Sequence, residues 1–358
     1  MSVAPSRLVG AQLPRAVLLL IGTAAAVVTV SGVHAARGII GPLFLALVLT
    51  IVVHPVHVRL RRVLPGWLAT TISVILVYAI ILTLALSVIV AIARLGSLLP
   101  QYADDADELV DNLTSWLHSV GVDSEELHQV ASSLDLGRLA GLIGSVLSGV
   151  AGLATSMFFL LTLCLFVVLD GTAFPARLRE AAADRTDLID ALDGFAVGTR
   201  QYLLVSTVFG AIVAVLDTIA LYALDVPAPL LWGLLAFLTN YIPNIGFIIG
   251  LFPPALLALL DSGPGKMLAV IAVYCALNLV IQSVIQPKVV GDAVGLSTTL
   301  TFVSLMFWAW IMGPVGAIMA VPFSLLVRAL LVDADPDSRW LTPVISNRPA
   351  EPDPQPET

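Results

Sequence analysis

Asn278, Gln282 and Gln286 stand four residues apart in YCALNLVIQSVIQPK, surrounded by apolar side chains. That spacing puts three amides on one face of a helix. Amides offer donors and acceptors to hydroxyls, carbonyls or water without the cost of a buried charge. Two roles are open to them: a polar lining for a solute, or hydrogen bonds that tie helices together. A second constellation is LTNYIPNIGFIIGLFPP, residues 238–254, in which Asn240, Pro243, Asn244 and Gly246 interrupt a very apolar run. A third is Met312 to Gly316, where Gly313 and Pro314 break another such run, followed by Pro322. Asp217, in AVLDTIALYAL, is an ionisable group within an apolar stretch. A carboxylate so placed is a candidate for binding a coupling proton or sodium ion, unless it lies near enough to the interface to be hydrated.

The elements that carry these residues follow from composition. Of 358 residues, 58% are hydrophobic and 12% charged, and mean hydropathy is +0.99. Soluble domains carry about 25% charged residues, so the chain reads as an all-α polytopic membrane protein whose partner is the lipid bilayer. The net charge of -8 comes from acidic loops and the C-terminal tail, which argues against nucleic acid as a partner. Cys164 and Cys275 lie in separate apolar stretches and read as packed thiols, with no metal motif and no sign of a cofactor.

Apolar stretches long enough to cross a bilayer core, about 20 residues, recur eight times: 16–34, 38–54, 68–93, 142–169, 201–224, 229–260, 267–285 and 298–332. The first has a second reading as a cleaved signal peptide, with Val33-His34-Ala35 resembling the cleavage site. The sixth would be about 48 Å long if straight, against a core of about 30 Å, and must tilt or break. Pro243 removes a backbone donor and crowds the preceding turn, which puts the break at 243–246. Broken backbone within a membrane is tolerated where protein buries it or where it lines a wet cavity, and transporters build substrate sites from such helices. The eighth run repeats the pattern at Gly313 and Pro314. For both, a kink that only shapes packing is the alternative.

Arginines set the orientation. Arg7 and Arg15, Arg59, Arg61 and Arg62, and Arg177, Arg179, Arg185 and Arg200 all belong on the cytoplasmic side, and Arg328 agrees with both termini lying there. Arg37 runs against this pattern. The transporter domain then covers 1–332, with an acidic, amphipathic outer-face insert at about 95–141 and a cytoplasmic linker at about 170–200. The proline-rich, acidic segment 333–358 reads as a disordered tail.

Three stretches resemble the autoinducer-2 exporter family of bacterial inner-membrane proteins: GPLFLALVLTIVVHPV, PAPLLWGLLAFLTNYIPNIGFIIGLFPP and IQPKVVGDAVGLSTTLTFVSLMFWAWIMGPVGAIMAVP. The likeness runs over about 15–332 and rests on the IPxxG break and on Pro287, Gly291, Gly313, Pro314, Gly316, Ala317 and Pro322. It implies eight helices, both termini cytoplasmic, a homo-oligomer, and export of a small polar solute such as the quorum-sensing signal autoinducer-2. Some members of that family are assigned to sodium/proton exchange, so an antiporter using an intramembrane carboxylate is the alternative. A membrane scaffold without transport is a further one.

Enzyme chemistry finds no support. VVGD has Val289 where an intramembrane aspartyl protease needs glycine, and none of the five histidines begins an H-E-x-x-H motif. No phosphate-binding loop is present to use ATP.

Overall fold

The computed structural model describes residues 14–98, 157–171, 174–243, 245–286 and 297–345. The expected outer-face insert beyond residue 98, the first half of the expected fourth span, Asn244, Pro287, Gly291 and the last thirteen residues lie outside them. Among the described residues every regular element is a helix. In lipid this is the economical solution, because a helix satisfies its own backbone polar groups.

The first elements are α1 (Arg15–Ala35), α2 (Arg37–Leu60) and α3 (Gly66–Leu98), matching the first three expected spans. Only Ala36 separates α1 from α2. Next come α4 (Met157–Gly171), α5 (Phe174–Ala181) and the 38-residue α6 (Thr186–Ala223). The expected linker at 170–200 is therefore helical for much of its length, and its end is the start of α6. Hydroxyl side chains in these helices fold back onto the carbonyl four residues earlier, as Thr50 does on Ala46 (2.8 Å) and Thr218 on Ala214 (2.7 Å), which satisfies them in apolar surroundings.

The sixth expected span is α7 (Pro229–Thr239) followed by α8 (Gly246–Ser262), broken where the sequence places the break. It is not one crossing helix. Gly250 lies against Ala236, and a Cβ on Gly246 would collide with the Thr239 carbonyl, so α8 folds back antiparallel along α7. Lys266 Nζ reaches Asp225 O at 3.0 Å, joining the two open ends. This is hairpin 1. The reason is the tip itself: Ile242 N–H bonds to Thr239 O, Ile245 N–H to Pro243 O and Gly246 N–H to Ile242 O, a tight turn that reverses the chain instead of kinking it.

After α9 (Pro264–Asn278), which continues as a π-helix over Leu279–Ile285, the eighth expected span also folds back. It comprises α10 (Thr298–Met312), α11 (Pro314–Ile318) and α12 (Ala320–Arg328), the last running on as a π-helix to Asp333. Trp308 of α10 stacks on Phe323 of α12 at 4.5 Å and donates to Ser324 Oγ at 3.0 Å. Ser297 N–H bonds to Ile345 O at 3.0 Å, so the base of this hairpin 2 is closed too. Gly313, at φ 67°, makes the turn.

The count of eight crossings changes accordingly. Among the described residues four helices are long and apolar enough to cross a membrane: α2, Gly66–Ala91 of α3, α6 and Pro264–Gln282; α4 with α5, bent by 58°, makes a fifth. The segment from Asp333, expected to be disordered, holds a 3-10 helix (Pro336–Leu341) and α13 (Thr342–Ile345), because Asp335 accepts from Asp337 N–H and the Ser338 hydroxyl.

Among the described residues the core falls into four patches, the smallest being Val205, Phe209 and Val213 of α6 with Ile281. Phe44, Phe195, Tyr202 and Phe323 join α2, α6 and hairpin 2. Leu221, Trp232, Ala258 and Tyr274 join α6, hairpin 1 and α9. Val53, Val77 and Cys164 join α2, α3 and α4. Both cysteines are free.

Candidate functional site

One face of α6 is buried along its length: Thr199, Tyr202, Ser206, Phe209, Val213, Asp217 and Leu221, spaced three and four apart. This stripe receives hairpin 1. Gly233 of α7 sits on Ala214 and Thr218, where any side chain would collide, and Gly210 leaves room for Asn240. The hairpin tip is then tied to α6 by three hydrogen bonds. Asn240 Nδ2 donates to Ser206 O at 2.8 Å, the Tyr202 hydroxyl donates to Tyr241 O at 2.9 Å, and the Tyr241 and Thr207 hydroxyls lie 2.8 Å apart.

The other side of the tip faces α9. Gln282 Nε2 donates to Asn240 Oδ1 at 3.2 Å and to Asn278 Oδ1 at 2.8 Å, and Asn278 Nδ2 donates to Tyr274 O at 2.9 Å. Gln282 stands in the π-helical stretch, a wide turn often found at functional sites. A cavity of about 10 Å³ lies between α6, hairpin 1 and α9, with Asp217, Thr239, Asn240, Tyr274, Asn278 and Gln282 as its polar lining. Space of that size holds one water-sized body.

The donor count in this cavity is uneven. Both protons of Gln282 Nε2 go to the two asparagine oxygens. Asp217 is 1% exposed, and neither of its carboxylate oxygens has a partner; the hydroxyl of Tyr274 is likewise buried without one. Among the described residues no lysine, arginine or histidine lines the cavity. What it offers to an occupant is the Asp217 carboxylate oxygens as acceptors, together with the Tyr274 hydroxyl and the second amide proton of Asn240 and of Asn278 as donors. Such a wall suits a hydroxyl-bearing solute or, at Asp217, a small cation.

The sequence-derived candidates therefore separate. Asn240, Asn278, Gln282 and Asp217 meet in one cavity, although they come from three different segments. Gln286 is half-buried and lies one turn beyond it. Pro243 and Gly246 shape the hairpin tip. Gly313 and Pro314 belong to the tip of hairpin 2, where Val315 packs near Gly41, and His34 Nδ1 meets Ile311 O at 2.9 Å. Tyr241 packs against the cluster of buried residues that joins α2, α6 and hairpin 2. Sequence reasoning missed Tyr274 and Thr239. Tyr274 precedes Asn278 by four residues, so extending the amide stripe one turn would have found it; Thr239 becomes a cavity residue only when the hairpin closes.

Residues 18–334 match the sequence model of the AI-2E family transporter. The chain is 33% identical over 307 residues to the AI-2 transport protein TqsA of Escherichia coli K12, covering 85% of this chain and 89% of that protein. It is 30% identical over 308 residues to YhhT of the same organism, named as a transport protein, covering 86% and 88%. A protein of Haemophilus influenzae, also named as a transport protein, is 28% identical over 318 residues, covering 87% and 91%.

Proposed function

The chain belongs to the AI-2E family and is a membrane transporter, not an enzyme; from that premise we propose that it exports a small polar solute, autoinducer-2 or a similar hydroxylated molecule, through the cavity between hairpin 1, α6 and α9. The observation that carries this reading is the meeting of Asp217, Asn240, Tyr274, Asn278 and Gln282 around one small cavity. In this conformation the space is too small for such a solute, so transport requires the hairpin tip to move away from α9. The bonds from Gln282 to Asn240 and Asn278 are the ones to break, while those to α6 keep the tip anchored. Hairpin 2 then bounds the other end of the route. The proposal places the protein in a bacterial inner membrane with both termini cytoplasmic and as a homo-oligomer.

A second reading is cation exchange at Asp217, favoured by the two carboxylate oxygens without partners. A buried charge without compensation is costly, so a proton or a sodium ion would have to accompany it. Flux of autoinducer-2 from proteoliposomes, with and without sodium and proton gradients, tests both. Export along the amides predicts that Gln282→Leu lowers flux and Asp217→Asn leaves it nearly unchanged. Normal flux in Gln282→Leu with an inactive Asp217→Asn assigns the function to exchange instead.

A further inference from the structure

A second cavity of about 10 Å³ lies between α2, α3 and α4, lined by Thr50, His54, His57, Ser73 and Gly171, with Val53 and Val168 completing it. The Ser73 hydroxyl stands 2.8 Å from Ala69 O and 3.0 Å from His57 Nδ1. With its one proton directed to the carbonyl it accepts from the ring, and in that arrangement neutral His57 is the Nδ1–H tautomer. Its side chain is 5% exposed, and Nε2, left with a lone pair, is buried without a partner. Thr50 also spends its proton, on Ala46 O, and turns only acceptor capacity to the cavity.

We propose that His57 is a proton-binding site, separate from the solute cavity, through which acid adjusts transport. A proton carried in by water binds at the Nε2 lone pair, giving an imidazolium that still donates from Nδ1 to Ser73. The groups that face the ring and its neighbour are His54 from α2, Arg61 just beyond α2, and Arg200 from α6. α3 contributes Ser73, and α4 contributes Val168 and Gly171; among the described residues no carboxylate lines the cavity. The new charge faces His54 and Arg61, and His54 in turn faces Arg200, whose Nε donates to Ile51 O at 3.3 Å. Arg200 belongs to α6, the helix on which hairpin 1 docks and which carries Asp217. Repulsion relayed from the imidazolium through His54 to the guanidinium acts on that helix and so reaches the solute cavity. The wall beside Thr50 cannot simply tighten in response, because Gly171 already packs so closely that even a Cβ would stand 2.9 Å from Thr50 Cγ2.

Ring-15N histidine NMR on the full-length protein, with the His57 signal assigned by its loss in His57→Asn, tests the site. The expected result is an Nδ1–H tautomer near neutral pH that becomes imidazolium as pH falls, with proteoliposome flux changing over the same range. His57→Asn keeps a side-chain N–H for Ser73 but cannot take up a proton, so its flux should lose that change while flux near neutral pH is retained. Ser73→Ala removes the acceptor of Nδ1–H and should shift the ring toward the Nε2–H tautomer. An Nε2–H tautomer in the unsubstituted protein, a ring that stays neutral throughout, or the same flux response in His57→Asn overturns the proposal. None of these outcomes bears on Gln282 or Asp217, so the reading of the solute cavity is judged separately.

Discussion

Gly246→Ala tests the closure of hairpin 1. The added Cβ would collide with the carbonyl of Thr239, the last residue of α7. The obstacle is backbone, which cannot rotate aside, so the cost belongs at the upper end of the usual ~1–3 kcal/mol for overpacking. Replacing glycine within a helix returns ~0.5–1 kcal/mol, which leaves about 2 kcal/mol against the closed tip. At about 1.4 kcal/mol per tenfold, that lowers the docked population relative to the open one roughly thirtyfold. Two other glycines calibrate the effect. At Gly250 a Cβ would stand 3.0 Å from the Thr239 hydroxyl, a side chain that can yield, and 3.4 Å from Ala236 Cα; at Gly265 it would meet nothing within 4 Å. The expected order of damage is Gly246 well above Gly250, with Gly265 silent. Hydrogen exchange at the amides of the tip reads the docked population, and thermal melting of the detergent-solubilised protein reads stability. Gly246→Ala and Gly265→Ala behaving alike in both would mean that α7 and α8 do not close on each other as described. Gly316→Ala, which drives a Cβ into the Trp308 carbonyl of hairpin 2, should act like Gly246→Ala.

Cysteines placed at Asp225 and Gly265 should react with an impermeant reagent from the same side of the membrane, and cysteines at Ser297 and Ser338 from the opposite side; reaction of 225 and 265 from opposite sides would restore a crossing helix. Phe323, 4% exposed and stacked at 3.8 Å on Phe44 and 4.5 Å on Trp308, should cost about 3–5 kcal/mol as Phe323→Ala, seen as a large fall in melting temperature. Gln282→Leu strands the Asn240 and Asn278 oxygens, at about 1–3 kcal/mol for each one left unsatisfied. It should therefore raise exchange at the hairpin tip as well as lower flux, and unchanged exchange would show that the bridge does not hold the tip to α9.

Composition and run length by themselves determined that this chain is helical and built for a membrane, because only elements that satisfy their own backbone can sit in lipid. Local chemistry also located both breaks, where proline stands together with glycine at Pro243–Gly246 and at Gly313–Pro314, although proline alone does not end a helix here: Pro42 and Pro55 lie inside α2, and Pro253 and Pro254 inside α8. The four-residue spacing of Asn278 and Gln282 fixed their shared face for the same local reason. The direction taken after each break was not legible. It depends on whether the two limbs find each other, and that is decided by contacts such as Gly246 beneath the Thr239 carbonyl and Trp308 on Phe323. The same distinction applies to Asp217. The sequence showed an acid in an apolar helix and left open whether it was hydrated; it is the packing of hairpin 1 and α9 on α6 that removes it from water and brings it beside Tyr274, Asn240 and Gln282. The pairing of His57 with Ser73 across two helices is likewise a tertiary fact, since a histidine alone carries no mark of which nitrogen holds its proton. Patterns along the chain specify what a helix is made of, whereas a site assembled from three segments exists only once those segments are packed.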